Sequence, residues 1–255
     1  MLIMTSLPTD SPFCFSDGSC LGIPGPCGTG GLVFMPEHRH LLESLKLGTT
    51  GSGTPEDDDK NQRPSNAHGG ERRPARGFDD EPTPRAQSGK LADGPLAVYT
   101  GLLTEGEGSN NIAELWGPAM LLQLLEWHEK TTGEAHGGPI AIFTDSQLTI
   151  DIIRYRARPK ANAELAHAVR RLIRVRGHRN SIAIYWVPGH ADVAENEMVD
   201  ELANWGAEQS QNGVGINVAQ AIANNRYLPD GQSPYHYHKL NPMTQCVNVT
   251  GSRGP

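Results

Sequence analysis

The order of the predicted strands and helices indicates an α/β fold in which helices cover a mixed β-sheet. Three strand-like segments come first, and helices and strands alternate from residue 111 onward. A short turn rich in Gly and Pro separates the first two segments, which predicts that the three early strands form an antiparallel meander. The alternating part predicts helical crossovers between strands. We therefore expect one mixed sheet of five strands.

The antiparallel part of this sheet is predicted from three apolar segments. The first is FCF, in a strand that we expect to end at Asp17, and the others are residues 30–35 and 96–104. Residues 48–94, between the second and third segments, contain Phe78 and almost no other large apolar side chain. Such a composition cannot bury enough surface to offset the entropy lost on ordering. We predict a disordered insertion there.

The alternating part begins with a helix over residues 111–130, for which Ser109 or Asn110 is a suitable N-cap. Pro118 lies inside this helical pattern and predicts a kink or a late start, because proline lacks the N–H that the helix needs. The following apolar patterns predict a strand, two helices, a strand and a last helix, at residues 139–144, 147–156, 161–176, 181–187 and 194–208.

These elements define a domain over residues 11–208 that the insertion interrupts. The remaining residues, 209–255, have little periodicity and several scattered prolines. We expect a loose C-terminal tail with a short helix near residues 218–224. The four tryptophans are expected to lie in the core: Trp116, Trp127, Trp186 and Trp205.

Charge is distributed unevenly along the chain. The net charge is −7 and the sequence pI is about 5.8, but residues 154–179 contain eight Arg and one Lys against the single acid Glu164. A basic stretch on an acidic protein fits a surface that faces phosphates. A solvated helix face explains the same pattern equally well, and the sequence leaves both interpretations open.

The cysteines and the apolar segments indicate an intracellular protein. Cys14, Cys20, Cys27 and Cys246 match no zinc spacing, so free thiols in a reducing compartment are expected. The N-terminus has no signal-peptide pattern, and no apolar run approaches the ~20 residues of a membrane helix. We predict no membrane association. The sequence does not distinguish nucleus from cytoplasm.

Four acidic residues lie where a shared site would form. Asp17 and Asp145 end two predicted strands, Glu114 opens the first long helix, and Asp200 lies in the last. If the two strands are parallel neighbours, their carboxylates emerge at the same edge of the sheet. Carboxylates held together repel one another, and hard cations such as Mg²⁺ prefer oxygen ligands. Taken singly, each acid also has a structural interpretation, as a turn, capping or surface residue.

The segments around these acids resemble the four motifs of the type 1 ribonuclease H family. They read SDGSCLGIPGP at residues 16–26, NNIAEL at 110–115, TDSQ at 144–147, and WVPGH at 186–190 followed by ENE and DELA up to 203. The resemblance covers residues 11–37 and 95–208. It implies a five-stranded mixed sheet flanked by helices and an endonuclease that cuts the RNA strand of RNA/DNA hybrids.

The resemblance also implies the chemistry of the site. Asp17 would bridge two Mg²⁺ ions, with Mn²⁺ as an alternative metal. Asp200 would complete the site of the ion that activates water, and Glu114 and Asp145 would hold the ion that stabilises the leaving 3′ oxygen. His190 would assist proton transfer or product release. Glu195, Glu197 and Glu201 lie close to Asp200 in sequence and leave the choice of the fourth ligand open.

Five further residues match family positions that bind the hybrid. Asn110, Asn111 and Gln147 would contact it in the minor groove, where 2′-hydroxyls distinguish RNA from DNA. Ser109 would bind a phosphate of the DNA strand, and Asn196 is also expected to contact substrate. We expect a monomer that acts on the hybrid.

The chain departs from the family pattern in two places. Ile23 stands where many members have Asn, and the basic handle of some bacterial members is absent. Its place is predicted to be taken by basic residues of the two middle helices, namely Arg154, Arg156, Arg158, Lys160, Arg170, Arg171 and Arg174. Two other functions on the same fold stay open: a weak or inactive hybrid-binding domain, and DNA strand transfer. A housekeeping enzyme and a retroelement-related domain are both compatible with the sequence.

Overall fold

The structure is a computed structural model. It describes residues 10–22, 24–38, 95–104, 106, 108–159, 161–189 and 193–229, and the backbone of residues 235–236. The predicted insertion at 48–94, most of the tail beyond 229, and His190 lie outside the described residues. No described helix is long and apolar enough to cross a membrane.

The described strands form one mixed sheet, as predicted. Its five main strands are β1 (Phe13–Cys20), β2 (Cys27–Phe34), β3 (Leu96–Leu103), β4 (Ile140–Thr144) and β5 (Ile182–Trp186), in the order β5-β4-β1-β2-β3. The pairs β1–β2 and β2–β3 are antiparallel, and β1–β4 and β4–β5 are parallel. Two short strands, β6 (Ile216–Asn217) and β7 (Tyr235–His236), pair with β3.

Five helices accompany this sheet among the described residues: α1 (Asn110–Thr132), α2 (Gln147–Ile153), α3 (Ala163–Gly177), α4 (Ala194–Gln211) and α5 (Val218–Asn224). Local signals explain several of their ends. The side chain of Ser146 accepts a hydrogen bond from the Thr149 N–H and caps α2. Gly133 ends α1 with a φ of 76°, a conformation that suits glycine.

The two faces of the sheet bury separate apolar clusters. Cys14 in β1 belongs to a cluster shared with α1, α2 and α3, whereas its neighbours Phe13 and Phe15 belong to a cluster shared with α4. This alternation follows from the two-residue period of a strand. The helices therefore cover both faces, and the ends of the strands are left for other roles.

Pro118 does not interrupt α1, so the late restart that the sequence allows does not occur. The helix runs from Asn110 to Thr132 with Pro118 inside it. The preceding residue, Gly117, packs against β1 so closely that a Cβ there would lie 2.6 Å from the Cβ of Ser16. Both residues are buried. We infer that burial of α1 against the sheet outweighs the single hydrogen bond that proline removes.

The beginning of the predicted tail is not loose. Besides the predicted helix, now α5, Tyr227 is fully buried and its ring meets that of Trp116 edge-on, with centroids 5.1 Å apart. Trp116 Nε1 donates to the Tyr227 carbonyl at 3.2 Å, and the Tyr227 N–H donates to Gln123 Oε1 at 2.5 Å. Residues 212–229 lack strong periodicity because a few anchoring side chains, rather than a continuous apolar stripe, hold them to the domain.

Helix α4 lies directly against the backbone of β2. A Cβ on Gly28 would lie 2.1 Å from backbone atoms of both Gly206 and Ala207, and one on Gly206 would lie 2.5 Å from the Thr100 carbonyl oxygen. We call this contact between Gly28 and Gly206 the glycine seam. It brings α4, and with it Asp200, close to the strands.

Candidate active site

Asp17 and Asp145 emerge side by side from two parallel strands. Phe15 of β1 is paired with Phe143 of β4, and each aspartate comes two residues after its phenylalanine. The equal offset places both carboxylates at the same edge of the sheet, as predicted from sequence. The strand does not end at Asp17, however, because β1 continues to Cys20 by pairing with β2, where Asp17 faces Gly30.

Glu114 joins this pair from helix α1. One carboxylate oxygen from each of Asp17, Glu114 and Asp145 lies within 4.8 Å of the other two. Asp17 and Glu114 are buried, and Asp145 is half-buried. Asn110 Nδ2 donates to Glu114 Oε1 at 3.3 Å, one turn of the helix away. We call these three acids the carboxylate cluster.

The electrostatics of the carboxylate cluster are unfavourable for negative charge. Burial, followed by the charge of Asp145, raises the pKa of Asp17 to about 7, against one backbone hydrogen bond from Gly18 that lowers it. Burial and the charges of Asp17 and Asp145 raise the pKa of Glu114 to about 10. Asp17 and Glu114 also interact directly, so the pKa of each depends on the protonation of the other. Proximity and desolvation therefore favour a proton, or a cation, at this site.

The donor set fits a hard divalent cation. Three carboxylates meet there, and Glu114 Oε2 is buried without a hydrogen-bond partner among the described residues. A buried carboxylate oxygen without a partner is costly, whereas oxygen ligands are what Mg²⁺ and Mn²⁺ prefer. Asp17, Glu114 and Asp145 can therefore hold a metal ion.

Asp200 lies near the carboxylate cluster without being part of its closest contacts. It is half-buried on α4, and its charge contributes to raising the pKa of Asp17. One turn further along α4, Asn204 Oδ1 accepts a hydrogen bond from Ser19 Oγ of β1. The neighbouring acids Glu197 and Glu201 are exposed. Of these three acids, Asp200 is the one whose charge acts on Asp17.

Asn196 contacts the carboxylate cluster directly. Its side chain is only 3% exposed, and its Nδ2 donates to Asp145 Oδ2 at 3.4 Å. Its Oδ1 is buried without a described partner. The side chain is therefore placed to orient the Asp145 carboxylate. Its contact with a substrate stays a prediction.

The other predicted substrate contacts surround the same edge. Asn110, Asn111 and Gln147 are exposed, and Ser109 is the half-buried N-cap residue of α1. Gln147 begins α2 directly after the cluster and donates to Asp151 Oδ1 at 3.0 Å. Their roles toward a substrate stay predictions, as does that of His190, which lies outside the described residues.

The predicted basic surface is smaller than the sequence suggests. Arg170 is only 8% exposed, and its guanidinium donates to the Ile152 carbonyl at 2.9 Å and lies 4.1 Å from the Tyr155 ring centroid. It therefore supports the connection after α2 and does not face substrate. Five of the other six predicted basic residues are exposed, namely Arg154, Arg156, Arg158, Arg171 and Arg174. The sixth, Lys160, lies outside the described residues.

Trp186 is an exposed residue of the site that we predicted to be core. It is 52% exposed at the end of β5, and its Nε1 donates to the Asp145 carbonyl oxygen at 3.1 Å. Only the last residue of β5 shows this exposure, and Ile184 in the middle is buried. Ile184 and Trp186 point to the same face of the sheet, so only the position of Trp186 at the end of the strand could have indicated its exposure.

The chain is similar to a known protein family and to solved structures. The RNase H family model matches residues 92–208. Among solved structures, the chain is similar to the N-terminal RNase H domain of a Mycobacterium tuberculosis protein, with 19% identity, a TM-score of 0.44, and 80% of this chain and 97% of that chain covered. It is also similar to RNase H1 of Halobacterium salinarum, with 18% identity, a TM-score of 0.40 and coverages of 78% and 98%. No curated protein matches the chain.

Proposed function

The chain carries a ribonuclease H family domain, and on this premise we propose that it is a metal-dependent endoribonuclease that hydrolyses the RNA strand of RNA/DNA hybrids. The observation that carries the proposal is the carboxylate cluster, in which Asp17, Glu114 and Asp145 converge within 4.8 Å from two strands and a helix. Such a cluster costs stability unless a cation neutralises it, and the family match covers two of its three members.

The proposed mechanism assigns each acid a task. Two divalent ions, when bound, would supply a nucleophilic water and stabilise the leaving 3′ oxygen. Asp17 would help to hold both ions. Glu114 and Asp145 would hold one ion and Asp200 the other, while Asn196 keeps Asp145 oriented. In-line hydrolysis would leave 5′-phosphate and 3′-hydroxyl ends.

We propose that substrate selection resides at the rim of the cluster. Asn110, Asn111 and Gln147 are exposed beside the acids and can donate to and accept from the 2′-hydroxyl and base edges of a minor groove. Ser109, at the start of α1, presents a hydroxyl to a phosphate of the DNA strand. We further propose that the protein acts as an intracellular monomer.

The test is cleavage of a hybrid whose two strands carry different labels, in Mg²⁺ or Mn²⁺. Wild type is expected to cut only the RNA strand of the hybrid, and to leave RNA/RNA and DNA/DNA duplexes intact. Asp145→Asn removes one ligand and is expected to be inactive. Glu208→Gln, an exposed acid on α4, is the matched control and should cleave like wild type. End-group analysis of the products would test the proposed 5′-phosphate.

The alternative is a hybrid-binding domain with weak or no activity. The departure at residue 23, where Ile replaces the Asn of many family members, is the observation that favours it. Hybrid that is bound but not cut in either metal would support this alternative. Cleavage that is lost in Asp145→Asn would exclude it.

A further inference from the structure

Cys20 and Cys27 face each other at the last position of the β1–β2 hairpin. They are directly paired across the two antiparallel strands, so their side chains point to the same face of the sheet. Both are free thiols. Cys20 is half-buried and Cys27 is fully buried. The pair closes the loop of residues 21–26, which leads toward the start of α1.

The backbone hydrogen bonds of the hairpin show whether Cys20 and Cys27 form a hydrogen-bonded or a non-hydrogen-bonded pair. The Leu21 N–H donates to the Pro26 carbonyl at 2.8 Å, which makes residues 21 and 26 a hydrogen-bonded pair. Hydrogen-bonded and non-hydrogen-bonded pairs alternate along antiparallel strands, so Cys20 and Cys27 form a non-hydrogen-bonded pair. The Cα atoms of such a pair lie ~4.5 Å apart, inside the ~4.4–6.8 Å range of disulfides. The pairing geometry of the hairpin is therefore compatible with a disulfide between them.

The two sulfur atoms also contact the loop and the start of α1. Cys20 Sγ lies 2.8 Å from the Gly22 carbonyl oxygen and 3.5 Å from that of Gly25. The Gly25 N–H in turn donates to the Gly108 carbonyl at 3.1 Å. The backbone N–H of Ser109 interacts with the Cys27 thiol. The thiols therefore connect the hairpin loop to the N-terminus of the helix that carries Glu114.

We propose that Cys20 and Cys27 are an oxidation site, where a reversible disulfide forms and weakens binding of the hybrid. The binding half of this proposal rests on the proposed function, whereas formation of the bond does not. Cys14 is excluded as the partner, because it lies six residues earlier in β1 and pairs with Val33.

The reaction balances with a peroxide as oxidant. The Cys20 thiol, the more accessible of the two, loses its proton, and the thiolate attacks one oxygen of hydrogen peroxide. The O–O bond breaks, the leaving hydroxide takes up a proton, and a sulfenic acid and water result. The Cys27 sulfur then attacks the Cys20 sulfur, the S–O bond breaks, and a second water leaves. Two S–H bonds are lost, one S–S bond forms, and the peroxide is reduced. A dithiol reverses the step by exchange.

Burial makes this reaction depend on pH. Desolvation raises the pKa of Cys20, and desolvation followed by the neighbouring Cys20 raises that of Cys27 to about 11. Both sulfurs are thiols at neutral pH, and the thiolate is the nucleophile. The rate of disulfide formation should therefore increase from pH 7 to pH 9.

The disulfide would act on substrate through Ser109. Bonding to Cys20 draws the Cys27 sulfur away from the Ser109 amide and removes the Cys20 contacts with Gly22 and Gly25. Ser109 and Asn110, both proposed to contact the hybrid, begin the helix at that point. The contact that positions Ser109 and Asn110 is equivalent to about one hydrogen bond. Its loss corresponds to a roughly 3- to 10-fold weaker affinity for the hybrid. The carboxylate cluster itself is not touched.

The test uses the full chain with Cys246→Ser, since Cys246 lies outside the described residues. The protein is treated with hydrogen peroxide, its free thiols are alkylated without reduction, and the peptides are mapped by mass. A Cys20–Cys27 link is expected in this protein and in Cys14→Ala, absent in Cys27→Ser, and reversed by dithiothreitol. Hybrid affinity in EDTA should fall 3- to 10-fold on oxidation, and not at all in Cys27→Ser.

Two results would overturn the proposal. Sulfinic acid or a link to Cys14 in place of the Cys20–Cys27 bond would refute the site. A complete Cys20–Cys27 bond with unchanged hybrid affinity would refute its effect. If reduced protein binds no hybrid at all while the link forms, the proposed function fails and the oxidation site stands.

Discussion

Acidic side chains lie at both ends of the parallel strands, but they are paired with a basic residue at only one of the two ends. At the carboxyl ends, Asp17, Glu114 and Asp145 lie within 4.8 Å of one another, and like charge faces like charge. At the amino ends, Glu129 of α1 receives hydrogen bonds from Arg176, one of them from Nη1 to Oε2 at 2.7 Å. We call this second region the paired end.

Most polar groups at the paired end have a hydrogen-bond partner in the protein, and Arg176 Nε is an exception among the described residues. Asn180 Nδ2 donates to the carbonyls of His136 and Gly138, at 2.6 and 2.8 Å. Burial acts to raise the pKa of Glu129, but the hydrogen bonds and charge of Arg176 outweigh it and lower the pKa. Glu114, by contrast, keeps a buried oxygen without a described partner. An acid whose oxygens are hydrogen-bonded by the protein, such as Glu129, supports the fold. An acid with an unpartnered buried oxygen, such as Glu114, can bind a ligand.

The largest expected effect is on catalysis at the carboxylate cluster. Asp145→Asn removes a metal ligand and several kcal/mol of transition-state stabilisation, which corresponds to at least ~10³-fold in rate. Single-turnover cleavage of a labelled hybrid measures the loss. A variant with more than a tenth of the wild-type rate would show that the cluster is not the reaction centre.

Breaking the paired end should destabilise the fold. Arg176→Met leaves Glu129 buried without its main partner, at a cost of ~3–5 kcal/mol, because an uncompensated charge is left behind. Urea unfolding at pH 7 measures this cost. Lys130→Ala removes an exposed ion pair with Glu126 on the same helix and should change stability by less than ~1 kcal/mol. Equal effects of the two substitutions would contradict the comparison.

Neutralising an acid at the carboxylate cluster should increase the stability of the fold, whereas breaking the paired end decreases it. The pKa of Asp17 is raised to about 7 in the folded chain, so the folded state binds more protons than the unfolded state above pH ~4. Its stability is present at low pH and is lost as pH rises through 7. Asp17→Asn removes this loss. In EDTA at pH 8 we expect the variant to be more stable than wild type, by ~2 kcal/mol or more.

The same Asp17→Asn comparison has two internal controls. At pH 4 the difference should nearly vanish, and Mg²⁺ should raise the melting temperature of wild type but not that of the variant. Thermal unfolding across pH, with and without Mg²⁺, provides the data. A variant that is less stable than wild type at pH 8 would show that Asp17 makes structural contacts that outweigh repulsion.

The smallest effect concerns His128 at the paired end. Burial, followed by the nearby His136, lowers its pKa, and His38 acts the same way, while Glu37 and Glu134 oppose them. A lowered histidine pKa gives stability that is present above the unfolded value and is lost as pH falls. Between pH 7.5 and 5.5 the melting temperature of wild type should fall more than that of His128→Gln. Identical slopes would mean that His128 does not contribute.

Local sequence features predicted most of the sheet and the convergence of three acids. FCF and IAIFT are apolar strands of the right length, and an acid follows each at the same offset, so their meeting needed only a parallel pairing. The place of Glu114 beside them was implied by the resemblance of residues 110–115 to a ribonuclease H motif. These predictions succeed because hydrophobic periodicity, strand ends and helix starts depend on residues that are close together in sequence.

Features that depend on distant contacts could not be predicted in this way. The uninterrupted α1 depends on Gly117 meeting Ser16, and the ordered residues 212–229 depend on Tyr227 reaching Trp116. Arg170 looked like a substrate contact because charge alone says nothing about the carbonyls it binds. Each of these outcomes was decided by partners at least 13 positions away along the chain.

The glycine seam has a consequence for how the molecule tolerates change. Asp200 reaches its neighbours because α4 touches β2 backbone to backbone at Gly28 and Gly206, with no side chain between them. Side chains that fill a core can change rotamer to accommodate a substitution. The glycine seam is a contact between backbones, so it has no side chain that could adjust in this way. One added methyl group at either position would displace a whole helix. Sequence drift at these two remote positions should therefore be as restricted as at the acids themselves.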